Sequence, residues 1–121
     1  MIDFTSEQLD RYLQDEPGSR VAMLNLLRFN PDGGRERYLE YAAAIDGVAK
    51  RYGAAPLYVG FGGQALVADQ GQEWDAVAIV SYPSRQAFAE MIADPEYQAV
   101  AHLRTEALLE ATLQPTAPMI G

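Results

Sequence analysis

Apolar positions along this chain follow two rhythms. Residues 21–29, Val-Ala-Met-Leu-Asn-Leu-Leu-Arg-Phe, form a continuous apolar run of strand length, broken by one amide and one guanidinium. Residues 74–82 form a second such run, which Pro83 ends. Continuous runs of this length read as strands buried on both faces. Between them the spacing changes to three and four. Tyr38, Tyr41, Ile45, Val48 and Tyr52 mark the buried stripe of a helix over 35–52, with Arg35, Glu36, Glu40, Lys50 and Arg51 on its wet side. Gly53 and Pro56 stop it.

The remaining elements follow from punctuation. Thr5-Ser6-Glu7-Gln8 is a capping box opening a short helix, and Pro17-Gly18 ends it. Asn30-Pro31-Asp32-Gly33-Gly34 is a dense turn. Residues 57–61 predict another strand, which Gly62-Gly63 interrupts and 64–68 resume, with a hairpin turn at 69–72. Ser84 caps a helix carrying Phe88, Met91 and Ile92. Asp94-Pro95-Glu96 restarts the chain as a further helix to about residue 111, with Val100, Leu103 and Ala107 inward. Residues 112–117 predict a last strand, pushed to an edge by Pro115 and Pro118.

The order is an accessory N-terminal helix within residues 1–18, then β-α-β-β-α-β with the second crossover split. It predicts an α+β, ferredoxin-like fold in a single domain over 1–121: a four-stranded antiparallel sheet with helices on one face. Both central strands are nevertheless apolar on both faces. The face away from the helices therefore needs a cover, and the simplest is a second copy, giving a homodimer joined through the sheet.

Composition narrows the function. Net charge is −8, from 17 acidic and 9 scattered basic residues, which argues against nucleic acid or anionic membrane as partner. There is no cysteine, so disulfides, thiolate nucleophiles and thiolate-bound metals are excluded. His102 is the one histidine, too few for a multi-histidine metal site within a subunit. No phosphate-binding glycine loop occurs, and Gly60-Phe61-Gly62-Gly63 is followed by no helix. No long apolar span and no signal-like N-terminus is visible, so a cytoplasmic protein is expected.

Strand alternation puts Met23, Asn25 and Leu27 on one face. Ala76, Ala78, Val80 and Tyr82 share a face of the neighbouring strand, assigned to the helix side beside Asn25. An amide in such a run needs a partner, since leaving it unpaired costs about 1–3 kcal/mol. Two readings follow. In one, Asn25, Tyr41 and Tyr82 present polar atoms in an apolar pocket, with His102 as a base if it reaches in. In the other, Asn25 bonds a tyrosine hydroxyl and fixes helix to sheet. Met23, Arg28, Tyr38, Phe61, Ala78 and Tyr97 are the candidate ligand contacts. Arg28 has a competing use as an ion-pair partner across a dimer, and Tyr97, on one face with Arg104, as a tie to a loop or subunit.

Met23-Leu24-Asn25-Leu26-Leu27-Arg28-Phe29, Tyr38 with Tyr41, Tyr52-Gly53-Ala54, Ser81-Tyr82-Pro83-Ser84 and Asp94-Pro95-Glu96-Tyr97-Gln98 with Arg104 resemble the domain-of-unknown-function family 1330, over about residues 20–115. The resemblance implies the dimeric α+β barrel superfamily and a ferredoxin-like homodimer. That superfamily includes cofactor-independent monooxygenases, haem-degrading enzymes, lactone isomerases and stress-response proteins, many with a pocket between sheet and helices. Asn25 resembles the strand asparagine of the haem-degrading branch, and Tyr82 occupies the place of its tryptophan. The branch's histidine falls at Ala101, one residue and about 100° of helix from His102, so no haem, and no other cofactor or metal, is expected. The expectation is a small-molecule protein for an aromatic or polyketide-like compound. Its chemistry is either cofactor-independent oxygenase or isomerase type, or it is a non-catalytic binding or stress-response module.

Overall fold

The computed structural model describes residues 2–119. In chain order the elements are α1 (Ser6–Leu13), β1 (Val21–Phe29), α2 (Gly34–Arg51), β2 (Ala55–Phe61), β3 (Ala76–Tyr82), α3 (Arg85–Ala93), α4 (Pro95–Gln98), α5 (Ala101–Ala107) and β4 (Leu108–Thr116). The four strands form one antiparallel sheet in the order β2-β3-β1-β4. This is the ferredoxin-like α+β arrangement that the order of elements predicts.

β1 lies between β3 and β4, as an apolar run should. Its register sets Asn25 opposite Ala78 on one side and opposite Leu113 on the other. Val21, Met23 and Leu27 are buried on the helix side, Leu27 completely. A side chain of that size contributes about 1.5–3 kcal/mol when fully buried. Leu24, Leu26, Val77 and Ile79 alternate to the opposite face and are only half-buried, because the helices all lie on the other side.

α2 starts at a close backbone approach. A side chain at Gly34 would strike the Ala107 carbonyl and the Asn30 side chain, and Asn30 N–H donates to that same carbonyl at 2.8 Å. At the other end Gly53 takes a φ of +79°, a left-handed conformation that suits glycine. Asp94 pins the start of α4 to the end of α2. It accepts from the Tyr52 hydroxyl at 2.8 Å and from the Glu96 N–H at 2.8 Å, and those bonds, the first above all, hold its carboxyl below the usual range. Arg51 adds ion pairs to Asp94 and Glu96.

Several boundaries differ from the pattern-based reading. The helix expected to run to about 111 breaks at Ala99–Val100 and ends at Ala107, and β4 begins at Leu108. No strand forms over 64–68, and residues 62–75 connect β2 to β3 outside the sheet. β3 begins at Ala76 rather than at 74. Both outer strands are irregular: the register shifts between Pro56 and Tyr58 in β2, and at Arg28/Phe29 against β4, which also carries Pro115. α1 has the expected capping box, with Thr5 and Gln8 exchanging bonds, but buries no residue fully. It is attached through Phe4 against Phe88, and through Arg85, which stacks on Tyr12 and bonds the carbonyls of Tyr12 and Asp15.

Candidate functional site

Between the sheet and the helices is a cavity of about 300 Å³. Its sheet wall is Met23 and Asn25 from β1, Tyr82 from β3 and Leu113 from β4. α3 contributes Phe88 and Met91, and α2 contributes Tyr41. Tyr97 of α4 and His102, Arg104 and Thr105 of α5 close the polar end, with Asp3 and Phe4 of the N-terminal segment. The small Ala78 opposite Asn25 and the break between α4 and α5 let these side chains converge.

Asn25 is half-buried, and its Nδ2 donates to the Met23 carbonyl at 3.3 Å. That orientation is fixed chemically, since the carboxamide oxygen facing a carbonyl would repel it. The bond is long, and no tyrosine hydroxyl takes up Asn25, unlike the helix-to-sheet tie weighed above. The tyrosines instead bond each other. The Tyr41 and Tyr97 hydroxyls lie 2.9 Å apart, with their rings edge-on. One bond uses one of their two protons, so a hydroxyl proton of the pair stays available. Burial raises the pKa of Tyr41 well above its ordinary value, and raises Tyr97 and Tyr82 as well. All three are neutral at any physiological pH.

Arg104 is the buried cation of the site. Its side chain is 9% exposed. Nη1 donates to the Ile2 carbonyl at 2.9 Å and to Asp3 Oδ1 at 3.0 Å. Nη2 is buried with no hydrogen-bond partner among the described residues. The Thr105 hydroxyl donates to Asp3 Oδ2 at 3.1 Å. His102, by contrast, is an exposed imidazole at the cavity edge.

The structure thus brings together six of the ten residues singled out from sequence: Met23, Asn25, Tyr41, Tyr82, Tyr97 and His102. Ala78 is buried beside Asn25 without lining the cavity. Tyr38 packs between Phe29 and Tyr41. Phe61 lies half-exposed under the Arg35 guanidinium, 3.8 Å from its ring centre. Arg28 is on the opposite sheet face by alternation. It pairs with Glu110 at 2.7 Å within the same chain, stacks on Trp74 and bonds the carbonyls of Gly71 and Glu73. That carboxylate is the neighbour across strands, so the pair needs no second subunit. The sequence reading missed Asp3 and Thr105 and saw Arg104 only as a structural tie. Among the described residues no cluster of three or more acidic or histidine side chains could hold a metal ion.

This sheet, with its helices on one face, is a ferredoxin-like fold shared with solved structures. Residues 33–113 match the family described as a domain of unknown function, DUF1330. The chain belongs to that family. Among solved structures it is similar to the RPA0582 protein of Rhodopseudomonas palustris, a protein of unknown function, at 31% identity and a TM-score of 0.88, covering 99% of this chain and 98% of that one. A putative antibiotic biosynthesis monooxygenase from Bacteroides thetaiotaomicron shares the fold at 18% identity and a TM-score of 0.60, over 84% of this chain and 91% of its own. A dimeric ferredoxin-like protein of unknown function from a Jannaschia species does so at 12% identity and 0.64, over 83% and 100%. Among curated proteins, none matches significantly.

Proposed function

We propose that the protein is a homodimer in which each subunit holds a small, largely apolar, oxygen-bearing molecule, aromatic or polyketide-like, in the helix-side cavity. The observation that carries this reading is Asn25. Among the described residues, this carboxamide on a central strand keeps only a 3.3 Å bond to its own strand, beside a tyrosine pair with a hydroxyl proton to spare. Both groups line the cavity, and a ligand carbonyl or enol can accept from their unused N–H and O–H. The raised pKa values of Tyr41 and Tyr82 favour hydrogen-bond donation over proton transfer for both. His102 is left as the base for cofactor-independent oxygenase or isomerase chemistry. It would take a proton from the carbon beside a ligand carbonyl, leaving an enolate whose oxygen Asn25 and the tyrosines hold.

The test is native mass spectrometry for a retained ligand, with wild type beside Asn25→Ala. Retention lost in the variant supports the reading, and equal retention in both refutes it. The exposure of His102 favours a second reading, a non-catalytic binding or stress-response module with the same cavity. The two separate on His102→Ala, which abolishes turnover in the first and leaves binding untouched in both.

The second copy would cover the half-buried face of Leu24, Leu26, Val77 and Ile79. In support, Leu66 and Val67 stand fully exposed in the connection between β2 and β3, and Tyr58 of β2 is 58% exposed. Scattered apolar exposure is ordinary, but two consecutive aliphatic residues without neighbours fit insertion against a partner. Among the described residues no helix is long and apolar enough to cross a membrane, and we assign the dimer to the cytoplasm.

A further inference from the structure

Arg104 and Thr105 together hold a carboxylate. The two oxygens of Asp3 are shared between them, Oδ1 on the Arg104 guanidinium at 3.0 Å and Oδ2 on the Thr105 hydroxyl at 3.1 Å. The two holders differ from the group they hold. Arg104 is nine-tenths buried in the polar end of the cavity, whereas the Asp3 side chain is 58% exposed and belongs to a short N-terminal segment. A guanidinium taken from water needs more than one half-exposed carboxylate in return. The arrangement leaves Nη2 buried and without a partner among the described residues, where only one arm of the fork is paired with a carboxylate. A planar guanidinium matches a carboxylate through two parallel bonds.

Resting on the reading of the cavity as a binding site, we infer that its ligand is a carboxylate, which takes the place of Asp3 on Arg104 and Thr105 while its apolar body lies along Phe88, Met91 and Leu113. The N-terminal segment is positioned to give way. Ile2 and Asp3 reach Arg104 through one carbonyl and one carboxylate, Phe4 leans on Phe88 at 6.0 Å, and α1 behind them buries no residue fully. A second cavity of about 300 Å³ lies under α1 and shares Asp3, Phe4, Met23, Phe88 and Leu113 with the first. Displacing Asp3 and Phe4 joins the two spaces, which makes room for an extended apolar body. A carboxylate fits better than a phosphate monoester, because the site offers one cation, two donor groups and a carboxylate already in place. The acidic net charge of −8 gives no general attraction for anions, so any preference must come from this site.

Calorimetric titration with phenylacetate, cinnamate and octanoate, each beside its uncharged amide, separates the possibilities. The expected result is that at least one acid binds about tenfold or more tighter than its amide, as a charge-assisted pair should. Asp3→Asn removes the resident carboxylate at an exposed position and should tighten the acid several-fold, and by more than the amide. Arg104→Gln should erase the preference, and if that variant does not fold, Asp3→Asn alone decides. Acid and amide binding equally, or Asp3→Asn weakening the acid, overturns the carboxylate inference and leaves the cavity as a binding site. Binding by none of the six compounds overturns both.

Discussion

The hydroxyls of Tyr41 and Tyr97 lie 2.9 Å apart across the space between α2 and α4, and both are buried. Each is the other's partner, so removing one leaves a polar atom alone. Tyr41→Phe or Tyr97→Phe should each cost about 1–2 kcal/mol. The double variant should cost clearly less than the sum, because it leaves no orphan. Urea unfolding of the four proteins measures this, and strict additivity would show that the bond carries no coupling.

Burial also fixes the alkaline behaviour. Tyr38, Tyr41, Tyr82 and Tyr97 all have pKa values raised above 10.0, desolvation being the largest cause in each. A group with a folded-state pKa above its unfolded value binds more protons when folded. Its contribution is whole below about pH 10 and is lost as pH rises through the folded values. Stability should therefore fall above pH 10, and phenolate absorbance from these four should emerge together with unfolding. Phenolate formation from all of them in a still-folded protein would contradict this.

Arg28 and Glu110 are unequal partners. Glu110 is half-exposed and makes one ion pair, worth about 0–1 kcal/mol at a surface. Arg28 adds two carbonyl bonds and a ring contact that hold the connection before β3. Arg28→Ala should cost about 1–3 kcal/mol and speed proteolysis within residues 69–74, whereas Glu110→Ala should do neither to a comparable extent. Equal effects from the two variants would mean that the ion pair alone matters.

Leu26 tests the proposed dimer. It is half-buried on the sheet face away from the helices. Leu26→Lys should shift the sedimentation mass from dimer to monomer while keeping the circular dichroism of a folded chain. A wild-type protein that is already monomeric at micromolar concentration would remove the second copy from the picture.

Local signals explain what could be read in advance. An apolar run too long for an exposed strand put β1 at the centre, and the amide inside it pointed to the cavity. Thr5, Ser84 and Asp94 announced helix starts because caps satisfy the first backbone N–H groups within a few residues. The start of β4 was hidden because Leu108-Leu109-Glu110-Ala111 continues a helical pattern smoothly, and only pairing with β1 makes it a strand. Arg104 with Asp3 was hidden for a different reason. The two are 101 residues apart, and nothing near either announces the other. Arg28 was ambiguous in the sequence because a guanidinium at a strand end looks the same whether it meets a ligand or a carboxylate, and the ion pair it forms lies within the chain rather than across a dimer.

The irregular outer strands bear on how the sheet can grow. Pro56 and the register shift beside it disturb the free edge of β2, and Pro115 removes a donor from β4. Another chain cannot simply add itself as a fifth strand on a regular ladder of free N–H and carbonyl groups. Edge-to-edge polymerisation into a fibre is thereby discouraged, although β2 carries an apolar sequence. What the fold leaves open is stacking through its broad face, a mode that terminates after two copies.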